Sequence, residues 1–173
     1  CDFHDYMQAQ GIDFSRPIML AGVTAKLAEK TWAEDRMTEV LRRFISTHSE
    51  VQIIFNYAPG QEAENARRIE GMLNTQFSAR SEEDSKAGNL KPQIFTNIEA
   101  KSMRQLAAMA ANCTFYFGNE GGGRHIVQAM GCPSMVVCSP MASKQTWLPE
   151  NDEVLTRGIS ATDIDPDAGR LSY

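Results

Sequence analysis

Residues 114–125, Thr114-Phe115-Tyr116-Phe117-Gly118-Asn119-Glu120-Gly121-Gly122-Gly123-Arg124-His125, pass without interruption from a compact aromatic run into glycines. A probe of the next residues, Arg124 to Met130, reads as a helix that Gly131-Cys132-Pro133 stops. A strand that ends in glycines and opens a helix is one unit of an alternating β/α chain. It leaves backbone N–H groups free at the helix N-terminus, where glycine lets an anion come close and the helix dipole favours its charge. A tight turn packed against a sheet has the same composition, and on these residues alone both readings stand.

Outward from this stretch the alternation repeats. Upstream, Met103, Leu106, Ala107 and Ala110 share a face of a helix predicted from about Ser102 to Asn112, preceded by a short strand near Ile94-Phe95. Before those, Ala66, Ile69, Leu73 and Phe77 mark a helix over 61–77, and Val51–Phe55 (VQIIF) is a short β-rich run. Met37, Val40, Leu41, Phe44 and Ile45 mark another helix over 32–48, and Pro17 opens the apolar strand Ile18–Val23. Downstream, Ser134–Cys138 (SMVVC) is a further buried strand. Residues 78–92 are polar and read as a surface loop, and the chain beyond Cys138 reads as irregular.

Strands apolar along their whole length, each followed by a helix, predict a doubly wound α/β fold with a mainly parallel, Rossmann-like sheet covered on both faces. Ligands of such sheets sit outside the carboxyl ends of the strands. The candidate loops are therefore those after Val23, Phe55, Phe95, Phe117 and Cys138.

Composition narrows the function. The chain has 173 residues, 42% hydrophobic and 23% charged, with 17 basic against 22 acidic side chains and a formal charge of −5. That excludes disorder, collagen and coiled coil, and a chain of this length can bury one sizeable core. No Lys/Arg stripe suits a nucleic-acid backbone, so no nucleic-acid partner is expected and a small ligand is. No apolar run is long enough for a membrane helix, and the expected location is cytoplasmic. Cys1, Cys113, Cys132 and Cys138 form no CxxC pair and are read as unpaired thiols. No ligand spacing supports a metal site.

Lys30 and Arg124 would each neutralise phosphate if their loops converge at the carboxyl edge of the sheet, and a solvated surface role is the alternative. Glu62 follows Pro59-Gly60 at a helix start, where it either meets the positive helix end or accepts hydrogen bonds from a ribose diol. His125 either donates to a phosphate or fills the core.

In order, these motifs resemble glycosyltransferase family 9, the ADP-heptose:lipopolysaccharide heptosyltransferase group, and within it the carboxy-terminal domain. The family's donor loop reads approximately G-[ND]-D-[ST]-G-x-x-H-x-A-x-A-x-G-x-P, and Gly118, Asn119, Gly122, His125, Ala129, Gly131 and Pro133 fall in place. Glu29-Lys30-Thr31-Trp32 is similar to the family's K-x-W after the first strand, with Thr24 near its phosphate-contacting hydroxyl. Gly60-Gln61-Glu62, with Glu64 and Arg67-Arg68, resembles the segment whose glutamate contacts the nucleoside, and Trp147-Leu148-Pro149 resembles the closing W-x-P. The resemblance spans about residues 17–150.

It implies the carboxy-terminal half of an inverting, two-domain GT-B glycosyltransferase that uses a nucleotide-diphosphate sugar, ADP-heptose-like, in lipopolysaccharide or cell-surface polysaccharide synthesis in bacteria. By that resemblance Thr24, Lys30 and the backbone around Gly121 and Gly122 hold the diphosphate, Glu62 the ribose and Glu120 the sugar side, with Asn119 and His125 in the same loop. No cofactor or metal is required, and no catalytic residue is expected in this chain. The acceptor, a lipid-linked saccharide, and the general base belong to an amino-terminal domain that precedes this one in a longer parent, through which peripheral contact with the inner membrane would be made. Residues 1–16 are then the tail of that domain and the linker, 17–160 the donor-binding domain, and 161–173 a tail. The start at Cys1 rather than Met agrees with a fragment. Glu120 stands for the usual Asp, Gly121 for a hydroxyl residue, Val127 for a small Ala, and Ala33 where the family often has Pro. The alternative is a noncatalytic nucleotide-sugar-binding module or a remnant of such an enzyme. A flavodoxin-like or receiver-like domain fits the alternation but none of the ordered motifs.

Overall fold

In chain order the elements are α1 (Phe3–Ala9), β1 (Ile18–Gly22), α2 (Glu34–Thr47), β2 (Gln52–Phe55), α3 (Gln61–Ser78) and β3 (Gln93–Phe95). They continue with α4 (Met103–Ala111), β4 (Phe115–Asn119), α5 (Gly122–Ala129), β5 (Ser134–Cys138), β6 (Thr156–Ser160) and α6 (Ala161–Ile164). This computed structural model describes residues 2–27, 30–78, 93–139, 144, 148 and 155–164. The six strands form one sheet in the order β3-β2-β1-β4-β5-β6, and every neighbouring pair is parallel. The order reverses between β1 and β4. In an open parallel sheet that reversal leaves a crevice at the carboxyl ends, because the loops on either side of it run apart toward opposite faces.

Each face has its own core. On one, Met37, Leu41 and Ile45 of α2 and Ala66, Ile69 and Leu73 of α3 pack on Met19, Ala21, Ile53 and Phe55. Their three- and four-residue spacing is what puts them on one stripe, and full burial of each large side chain contributes about 1.5–3 kcal/mol. On the other face, Met7 of α1, Met109 and Ala110 of α4 and Val127 of α5 pack on Ile18, Leu20, Ile54, Tyr116 and Val136. Buried Gln52 is satisfied by the lead-in to β1, donating from Nε2 to the Asp13 carbonyl at 2.7 Å and accepting from the Asp13 N–H at 2.8 Å.

Below the crevice β1 and β4 press together. Gly22 and Gly118 are register partners. A Cβ on Gly118, whose φ is +153°, would lie 2.6 Å from Gly22 Cα, and one on Gly22 would run into the Tyr116 hydroxyl. That hydroxyl is itself fixed, donating to the Asn119 carbonyl at 2.9 Å. Only glycine fits at both positions.

The parallel α/β expectation holds, with one correction at the carboxy-terminal end of the chain and one at the turn. The opening segment carries a helix for which the sequence showed no period: α1 is capped by the Asp2 carboxylate, which accepts the His4 N–H at 3.3 Å, and it buries Met7 in the core. The chain after Cys138 is not irregular throughout, since β6 pairs along its whole length with β5 and α6 follows it. The helix after the glycines begins at Gly122 rather than Arg124, so two of the three consecutive glycines lie in its first turn. Trp147, Pro149, Glu29, Cys1 and nearly all of the 78–92 loop lie outside the described residues.

Candidate functional site

The loops that leave β1 and β4 meet over the crevice, and a single carboxamide ties them. Asn119, at the end of β4, accepts the Trp32 N–H at 2.7 Å and donates to the Gly22 carbonyl at 3.1 Å. Its side chain is buried and both its ends are engaged, so it positions the loop that carries Lys30. Gly121 and Gly122 follow. Among the described residues a Cβ built on either meets nothing within 4 Å, so the first turn of α5 presents bare backbone there. Gly123 differs: a Cβ there would lie 3.4 Å from Asn56 Nδ2 and from Leu106 Cδ2.

Beside that turn is a cavity of about 260 Å³. Lys30, Glu120, Arg124 and His125 give it its charge, Gly121 and Gly122 its bare edge, and Val136, Cys138 and Leu148 its apolar wall. Lys30 Nζ stands 3.7 Å from Glu120 Oε1. Glu120 is 5% exposed, and Oε1 has no hydrogen-bond partner, so a buried carboxylate oxygen faces a site lined by cations. Arg124 is 2% exposed and donates to Gln128 Oε1 at 2.7 Å, with its other guanidinium nitrogen against the His125 ring. His125 is exposed, not a core residue. Its pKa is held below the usual imidazole value by partial burial, then by the Arg124 and Lys30 charges.

A second cluster lies toward β2. The Thr24 hydroxyl, two residues past β1, donates to Glu62 Oε2 at 2.8 Å, and the same oxygen accepts the Ala58 N–H at 3.3 Å. Glu62 sits in the first turn of α3, so its carboxylate also faces that helix's free N–H groups. The sequence-derived residues are thus gathered in two groups, Thr24 with Glu62 and Lys30 with Glu120, Gly121, Gly122 and His125.

Two features were not legible beforehand. Cys138 and Val136, on β5, wall the cavity, which the alternating pattern of that strand does not reveal. Arg124 is buried. Its one sequence-level signal was Gln128 at i+4, the spacing that lets a helical Arg and Gln meet. Among the described residues Cys113, Cys132 and Cys138 form no disulfide, and burial pushes the Cys132 and Cys138 thiols up to about 11, which removes them as nucleophiles at neutral pH. Among the described residues no three His, Cys, Asp or Glu side chains are grouped to hold a metal ion, and no helix is long and apolar enough to cross a membrane.

The profile of glycosyltransferase family 9 (heptosyltransferase) matches residues 2–157. No curated protein matches the chain by sequence. Among solved structures, the family 9 glycosyl transferase of Veillonella parvula superposes with a TM-score of 0.63 at 15% identity, over 92% of this chain and 40% of that one. ADP-heptose lps heptosyltransferase II of E. coli gives 0.67 at 17% identity, over 91% and 42%. E. coli heptosyltransferase WaaC, solved with ADP-2-deoxy-2-fluoro heptose, gives 0.53 at 16%, over 85% and 38%. These likenesses are of fold, and the chain spans about 40% of the length of the solved relatives.

Proposed function

The chain belongs to glycosyltransferase family 9, and from that membership we propose that it is the donor-binding, carboxy-terminal domain of an inverting GT-B glycosyltransferase acting in bacterial cell-surface polysaccharide assembly. The donor is a nucleoside-diphosphate sugar of the ADP-heptose kind. The single observation that carries this reading is the bare first turn of α5 at the sheet's reversal point, with Lys30 beside it. Free N–H groups and a cation at that place suit a diphosphate and little else of comparable charge.

Transfer breaks the bond between the sugar and the diphosphate, and negative charge grows on the departing nucleotide. Lys30 and the α5 N–H groups would stabilise that charge more in the transition state than in the ground state, without a call on a metal ion. Glu120, which lines the same cavity, would take a sugar hydroxyl. Glu62 would hold the ribose, and Thr24, hydrogen-bonded to it, the adjoining end of the diphosphate. The lipid-linked saccharide acceptor and the general base would come from the amino-terminal domain of the parent, which would make this half inactive alone, cytoplasmic, and peripheral at the inner membrane through the whole protein.

Two results are expected. Glu62→Ala weakens ADP about 10- to 100-fold, the loss of one or two hydrogen bonds to a carboxylate, and leaves 2′,3′-dideoxy-ADP unchanged in a calorimetric titration. Equal weakening of both would assign Glu62 to bracing Thr24 rather than to the diol.

The second expectation concerns pH. Because His125 titrates below about 6.5 in the free protein and an anion beside it favours imidazolium, binding takes up a proton and affinity rises as pH falls through that region. Each unit by which the ligand raises that pKa gives up to about tenfold. The free chain goes the other way: its depressed His125 costs stability once pH falls below the unfolded value. ADP-ribose, which lacks the terminal-phosphate ionisation near about 6, isolates the effect, and His125→Gln should flatten the profile.

A further inference from the structure

Arg124 is placed where elementary electrostatics disfavours it. A cation in the first turn of a helix meets the positive end of the dipole, and burial to 2% exposure strips the guanidinium of water. Desolvation accordingly pulls its pKa down. A side chain of this kind costs stability in the free protein, and an anion in the adjoining cavity would offset that cost. The guanidinium is also held still, by Gln128 Oε1 at 2.7 Å and by the His125 ring, so that little entropy would be lost on binding.

The cavity points the same way. Lys30, the other cation lining it, already lies 3.7 Å from the buried Oε1 of Glu120, a single carboxylate whose charge also reaches Arg124, so the two cations of the cavity are offset by one anion. With Lys30 partly balanced, a ligand of two negative charges needs a further positive group. Topology says which of its phosphates that group meets. Thr24 and Glu62 stand over β1 and β2, whereas Arg124 shares its cavity with Val136 and Cys138 of β5, on the far side of β4.

We propose that Arg124 binds the phosphate distal to the nucleoside and sets the preference of this site for diphosphates over monophosphates. This rests on reading the cavity as the diphosphate site.

The test is calorimetric titration of the chain with ADP and with AMP, in the parent, Arg124→Met and Arg124→Lys. The parent should prefer ADP. Arg124→Met should lower ADP affinity about 10- to 100-fold, as expected for one charge-assisted hydrogen-bonding group, with AMP affinity held. Arg124→Lys should recover part of the preference. Without ligand, Arg124→Met should melt at or above the parent, because an apolar side chain of similar length replaces a desolvated charge. An ADP-to-AMP ratio that does not change in Arg124→Met overturns the proposal, and so does a Met variant that melts far below the parent, which would make Arg124 a structural residue. A parent that binds neither nucleotide takes the reading of the cavity down with it, a result distinct from either of those.

Discussion

Gly122→Val eliminates nucleoside-diphosphate binding, lowering ADP affinity by about 100-fold or more, and leaves the melting temperature within about 2 °C of the parent. The asymmetry follows from where the new side chain goes. Among the described residues a Cβ on Gly122 meets nothing within 4 Å, so the fold around it has no reason to object. The same direction is the approach of a ligand to the α5 N–H groups, and a branched side chain there occupies the space a phosphate needs. Circular dichroism melts together with ADP titration check both halves. A variant that still binds ADP would show that the first turn of α5 is only a turn.

Gly118→Ala, four residues earlier in the same glycine-rich stretch, does the opposite. A methyl group there lies 2.6 Å from Gly22 Cα, and the contact is backbone to backbone between the two central strands, which cannot yield without parting β1 from β4. A cost of about 3 kcal/mol or more is expected, of the size of severe overpacking, and with it a drop of about 6–12 °C in melting temperature. Urea unfolding measures it directly. Near-parent stability would mean that the close approach of these strands is looser than the geometry has it. Residual ADP affinity, measured well below the melting point, should persist.

The contrast between these glycines also marks what a sequence can disclose. Periodicity located α2 and α3, because Met37, Leu41 and Ile45, and Ala66, Ile69 and Leu73, serve a single buried stripe each. The glycine run pointed to the candidate site, because free helix N–H groups are a property of the chain's local course. Which glycine is needed for packing and which for access was not legible, since that depends on β1 being the neighbour of β4. Strand β6 (Thr156–Ser160) was missed for a related reason: its Arg157 and Gly158 break the apolar pattern, and an edge strand partnered on one side only has little need of that pattern. Helix α1 has seven residues, too few for a period to show. Asn119 was expected to meet the ligand by resemblance, and its two hydrogen bonds to Trp32 and Gly22 join segments that are far apart in the chain. Arg124 was visible as a cation in the right loop, and its burial was not.

In the proposed complex a nucleoside diphosphate lies on the first turn of α5, across the reversal of the sheet. Two-dimensional amide NMR of the labelled chain during titration with ADP tests this most directly, because each backbone N–H in the cradle reports for itself. Saturable shifts are expected at Gly121, Gly122, Gly123, Thr24 and Lys30, and none of them in Gly122→Val. No shifts through millimolar ADP, or shifts gathered away from the ends of β1 and β4, would contradict it.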